Sequence, residues 1–155
     1  MAESKSKLYK RKTVEKKLNE LLERISQLNE EISHPEFTCF VDEMVAFGSY
    51  INTDNEKIHD LDIAIRLKLK PRYNNNIGLA SREAQQRAPE NIDFLRKLCW
   101  SQEEVYQYLK NRCGIYSFHL LDEERKIVES DIHKVLVKNG KLTGQYLKKS
   151  RVKRK

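Results

Sequence analysis

The chain has 155 residues, with 30 Lys and Arg against 23 Asp and Glu, giving a net charge of +7. That length suffices for one domain with its own core and gives no reason for two. The apolar runs are far too short to cross a bilayer, Met-Ala-Glu-Ser-Lys-Ser-Lys has no signal-peptide core, and three scattered cysteines lack metal-ligand spacing, so a cytoplasmic protein with reduced thiols and no membrane partner is expected.

The first segment, 1–12, is a basic tail carrying Lys5, Lys7, Lys10, Arg11 and Lys12; a single domain is expected over 13–145, and 146–155 forms a second basic tail with Lys148, Lys149, Arg151, Lys153, Arg154 and Lys155. Such ends attract polyanions by releasing counterions, and they also occur as plain solubilising segments. Thr13 to Ile32 follows as a helix, because Val14, Leu18, Leu21, Leu22, Ile25, Leu28 and Ile32 recur at helical spacing, and Ser33-His34-Pro35 stops it.

Glu43-Met44-Val45-Ala46-Phe47 reads as a short buried strand ended by Gly48, where a missing side chain lets a ligand approach the backbone. Ser49 adds a hydroxyl and an amide and would cap a helical turn beginning there, although Gly-Ser is also ordinary turn chemistry. Ten residues later Asp60-Leu61-Asp62-Ile63-Ala64-Ile65-Arg66-Leu67 alternates as a second strand, with Asp60, Asp62, Ala64 and Arg66 on one face. Aspartate is disfavoured in strands and adjacent like charges repel, so a bound divalent cation would explain the pair. A solvated polar strand face remains the alternative for an isolated Asp-x-Asp.

The order strand, Gly48-Ser49, ten residues, Asp60-x-Asp62, strand resembles the signature of the DNA-polymerase-beta-like nucleotidyltransferase superfamily, over roughly Glu43 to Leu67. The resemblance implies an α+β fold, a small mixed β-sheet flanked by helices. It also implies that Gly48 and Ser49 grip the phosphates of a nucleoside triphosphate, and that Asp60 and Asp62 bind catalytic magnesium, with manganese as the alternative. Two departures stand out: Tyr50-Ile51-Asn52-Thr53 replaces the arginine that many members carry after the serine, and His59 replaces a serine before the first aspartate.

Further along, Pro71-Arg72-Tyr73-Asn74-Asn75-Asn76 reads as a polar, mobile surface loop. Helices are expected from Gly78 to Arg87 and from Glu90 to Lys110, the second with a capping box at Ser101-Gln102-Glu103-Glu104 that could divide it. Ile115 to Leu121 reads as a strand with Ser117 and His119 on one face. Polymerising members place a third carboxylate on such a strand; here His119 takes that place, as a metal ligand, a general base or simply a half-buried strand residue. Asp122 reaches the same place only through a bulge. Ile132 to Val137, Asn139-Gly140 and Lys141-Leu142-Thr143 read as a hairpin with a primed turn.

Two functions follow as expectations. One is a magnesium-dependent nucleotidyltransferase that moves a nucleoside monophosphate from a triphosphate to an acceptor, with Asp60, Asp62 and His119 catalytic and RNA favoured over a protein or small-molecule acceptor. The other is a nucleotide- or RNA-binding module, or partner subunit, that keeps the fold without turnover. So small a chain is also expected to need a protein partner or a second copy of itself to complete a site.

Overall fold

A computed structural model describes residues 8–30, 37–130 and 132–143. Among these, an α+β fold is built from β1 (Tyr9–Lys10), α1 (Arg11–Asn29), β2 (Cys39–Phe47), α2 (Ser49–Asn52), β3 (Lys57–Ile58), β4 (Leu61–Leu69), α3 (Ile77–Gln85), α4 (Phe94–Leu98), α5 (Trp100–Lys110), β5 (Tyr116–Leu120), α6 (Leu121–Glu129), β6 (Lys134–Lys138) and β7 (Lys141–Leu142). Five strands form a mixed sheet in the order β5-β4-β2-β6-β7, and β1 pairs with β3 in a two-stranded ribbon. Only β4 and β5 run parallel. No described helix is long and apolar enough to cross a membrane.

Strand alternation sorts the sheet into two apolar faces. Met44, Ala46, Leu61, Ile63 and Ile65 pack with Val14, Leu18, Leu21 and Ile25 of α1 and with Val105 and Leu109 of α5. On the opposite face a smaller cluster joins Val45 and Ala64 to Leu121 and Val128 of α6. Every residue of the predicted α1 stripe from Val14 to Leu28 is buried, while Ile32 and the Ser33-His34-Pro35 stop lie outside the described residues. The helix ends at Asn29, whose amide brackets Val41 on both sides: its nitrogen donates to Val41 O (3.0 Å) and its oxygen accepts from Val41 N (2.9 Å).

β2 starts four residues before the expected Glu43, so that Cys39-Phe40-Val41 precede two buried acids, Asp42 and Glu43, within one strand. A register shift between Val41 and Glu43 accommodates them. Arg66 donates to Asp42 (2.9 Å) and Glu43 (3.1 Å), and Arg125 of α6 donates to Glu43 (3.1 Å). Burial pushes the Glu43 carboxyl up, but Arg125, Lys138 and Arg66 together pull it below its ordinary value. A carboxyl lowered by folding stabilises the protein above the unfolded-state value and loses that effect as pH falls through the folded-state value. Glu43→Gln should therefore cost about 1–3 kcal/mol at neutral pH, with the difference from wild type shrinking below about pH 4, as read by urea unfolding at both pH values.

Three other expectations need correction. The 71–76 segment is anchored: Pro71–Tyr73 forms a 3-10 turn, Tyr73 is buried and donates to Glu83 (2.6 Å), and Asn76 caps α3 by accepting from Leu79 N (3.0 Å). The long helix from Glu90 starts only at Phe94, capped by Asp93, and divides at Cys99 rather than at Ser101. Finally, the chain turns directly from β5 into α6, where sequence periodicity gave no helix. The hairpin forms with its primed turn, Asn139 and Gly140 having φ of 54° and 81°. Of the expected basic tails, residues 9–12 form β1 and the start of α1, while 1–7 and 146–155 lie outside the described residues.

Candidate active site

The β2–β4 pairing sets Phe47 opposite Asp62, and the β4–β5 pairing sets Asp62 beside Ser117 and Ala64 beside His119. Phe47, Asp62, Ser117 and His119 therefore share the α6 face of three adjacent strands, β2, β4 and β5. Gly48, one residue past Phe47, lies over the aspartate. A β-carbon added there would stand 2.3 Å from Asp62 Oδ2, and the residue has φ of 81° and ψ of −164°, a conformation essentially confined to glycine. Gly48 of the expected Gly-Ser turn and Asp62 of the expected Asp-x-Asp pair thus meet in space, and the contact gives the physical reason for glycine.

Ser49 is not the cap of the turn that follows. Gly48 occupies that place, and Ser49 is the first residue of α2. Its carbonyl accepts from Thr53 N (3.1 Å) and Thr53 Oγ1 (2.6 Å). The loop between the two halves of the motif is held from outside it. The Arg11 guanidinium, at the start of α1, donates to Asn55 O (2.8 Å), Tyr50 O (2.8 Å) and Thr53 O (2.9 Å), and lies over the Tyr50 ring. An arginine therefore does reach this loop, but its donors are spent on the backbone.

Asp60 precedes β4 instead of beginning it, and it is half-buried. Burial raises the Asp62 carboxyl above its ordinary value, and the charge of Asp60 raises it further, against hydrogen bonds from His119 and Ser117. His119 joins the site through both ring nitrogens. Nε2 lies 3.2 Å from Asp62 Oδ1 and 3.3 Å from Ser117 Oγ, and Nδ1 lies 3.1 Å from Glu124 of α6. The Phe47 ring meets the imidazole edge-on, with centroids 5.1 Å apart. A neutral imidazole donates from only one ring nitrogen, so His119 donates either to Asp62 from Nε2 or to Glu124 from Nδ1.

Glu124 was not anticipated, since α6 was not. Its only sequence signals are the acids Asp122, Glu123 and Glu124 in a first helical turn and the seven-residue interval from Leu121 to Val128. Asp122 is not at the site: β4 and β5 pair without a bulge, and Asp122 lies 3.5 Å from Arg66.

Among the described residues no three His, Cys, Asp or Glu side chains form a group able to hold a metal ion by themselves. Asp60 and Asp62 nonetheless suit a magnesium-type ion, which commonly takes one or two carboxylates and completes its shell with water and phosphate oxygens. Burial first and the charge of Asp60 second raise the Asp62 carboxyl, and a bound cation would act against both. No protein-family model, curated protein or solved structure matches the chain.

Proposed function

We propose that the protein is a nucleotidyltransferase that moves a nucleoside monophosphate from a nucleoside triphosphate to an acceptor hydroxyl. The observation that carries this reading is the contact between Gly48 and Asp62: the glycine backbone packs directly against the aspartate, so the Gly-Ser turn adjoins the carboxylate that would hold a cation. In this reading, Gly48 and Ser49 bind the triphosphate and Asp60 and Asp62 hold a divalent cation. That ion would supply positive charge for the phosphate oxygens of the leaving pyrophosphate. In the tautomer whose Nδ1 donates to Glu124, His119 accepts the acceptor hydroxyl's proton at Nε2. The acceptor oxygen then bonds to the α-phosphorus as the bond to pyrophosphate breaks. RNA is the favoured acceptor on the strength of the basic chain ends.

A second reading has its own support. His119 stands where a third carboxylate would be expected, and imidazole is a poorer magnesium ligand than carboxylate, which favours a nucleotide-binding module without turnover. One experiment separates the two. The protein is incubated with each labelled nucleoside triphosphate, magnesium or manganese, and total RNA, beside an Asp60→Asn, Asp62→Asn double variant. Label transferred by the wild type alone supports the enzyme. Cation-dependent nucleotide binding without transfer supports the module, and equal transfer by both proteins sinks the proposal.

A further inference from the structure

The two edges of the main sheet are unlike. β7 is two residues long and carries Lys141, whereas β5 runs for five residues, Tyr-Ser-Phe-His-Leu, with no lysine, proline or bulge. Short strands and edge lysines are the usual guards against strand-to-strand association, so β7 is guarded and β5 is not. Among the described residues β5 pairs with β4 alone.

The register fixes which β5 groups remain open. Leu61 N donates to Ile115 O (2.8 Å), so in a parallel ladder Ser117 and His119 turn their backbone groups toward β4. Tyr116, Phe118 and Leu120 then turn theirs outward. Beside this edge lies a groove of about 370 Å³ whose walls include Tyr106, Gln107, Lys110, Phe118 and Leu120. A second groove of about 200 Å³, which shares Tyr106 and Leu120, continues it toward Gln102, Asp122 and Glu123. Leu120 itself is 45% exposed. The combined groove thus carries Lys110 at the end of α5 that leads to β5, and Glu103, Glu123 and Asp122 toward the other, Asp122 beside Arg66, which also lines the groove.

We propose that β5 is the seam of a two-fold dimer, in which a second copy of this chain adds its own β5 antiparallel, centred on Phe118. Charge complementarity selects the occupant, because an antiparallel copy presents its acidic end to Lys110 and its Lys110 to the acidic end. The hydrogen bonding agrees. With Phe118 opposite Phe118, Tyr116 falls opposite Leu120 of the second copy, so all three outward-facing residues form hydrogen-bonded pairs. The exposed Leu120 side chain of the second copy is carried to the Tyr116 end of β5, the end that α5 enters through residues 111–115.

The same register bears on the site. Ser117 and His119 become the closely spaced, non-hydrogen-bonded pairs between the copies, on the face that carries Asp62. Each His119, already 3.3 Å from its own Ser117, thereby gains Ser117 of the second copy as a neighbour. The dimer goes beyond the proposed activity and is read by mass, so either can fail without the other.

Sedimentation equilibrium of the full chain should give twice the 18.4 kDa chain mass. Leu120→Lys should give a monomer with unchanged circular dichroism, since the side chain is exposed. Lys110→Glu should weaken the dimer roughly tenfold, and adding Glu123→Lys should restore it. For the register, chains carrying Ser117→Cys and chains carrying His119→Cys, both with Cys99→Ser and Cys113→Ser, should form an intermolecular disulfide when mixed and not when kept apart. A monomer at every concentration overturns the proposal, as does a dimer indifferent to Leu120→Lys or a mixture that does not cross-link.

Discussion

Gly48→Ala is expected to lower stability by about 2–4 kcal/mol and to displace Asp62, for two reasons that add. The backbone there, φ 81° and ψ −164°, is closed to residues with a β-carbon, and the added carbon would stand 2.3 Å from Asp62 Oδ2 and 3.1 Å from its Cγ. The aspartate is the softer partner and must move, which takes its carboxylate away from His119 Nε2 and from Asp60. Urea unfolding reads the stability loss. Divalent-cation binding, followed by calorimetry, should weaken at least about tenfold in whatever fraction remains folded. Gly114→Ala is the control: its added carbon would meet nothing within 4 Å, and it should be close to neutral. A Gly48→Ala protein as stable as the control would show that the close approach does not exist in solution.

Asp62→Asn should separate stability from binding in the opposite sense. In the protein without a cation, Asp62 is a partly buried carboxylate pressed by the charge of Asp60. Asparagine removes that charge at almost constant volume, and its side-chain oxygen still accepts from His119 Nε2. The cation-free variant should therefore be more stable than wild type by about 0.5–1 kcal/mol. Magnesium or manganese should raise the melting temperature of wild type and leave that of the variant nearly unmoved, because half of the carboxylate pair is gone. A variant less stable than wild type without cation, yet still stabilised by it, would assign Asp62 a purely structural role.

What the sequence disclosed follows from how local each signal is. The α1 stripe from Val14 to Leu28 repeats within one helix, and it was visible in full. The motif was visible because Gly48 and Asp62 are linked by one antiparallel register, so their spacing is written along the chain. Asp42 hid the first half of β2, because its burial makes sense only beside Arg66, a residue far away in sequence. α6 was hidden for a related reason. It buries only Leu121 and Val128, too sparse a pattern to read as periodicity, and without the helix nothing connected Glu124 to His119. The break at Cys99 depends on Asp93 capping a separate short helix, whereas Ser101 offered a capping pattern the fold does not use.

The hold of Arg11 on the loop between the motif's halves gives the ten-residue interval a metric meaning. Three carbonyls, from Tyr50, Thr53 and Asn55, converge on one rigid guanidinium, and the next residue's carbonyl, that of Glu56, accepts from Arg11 N (2.9 Å). A planar fork cannot stretch to follow an inserted residue. The interval is in effect gauged by a ruler set in another helix, so a one-residue insertion among 50–56 would have to give up part of that hold before Gly48 and Asp62 could keep their places, and changes at the start of α1 reach the motif without touching any of its residues.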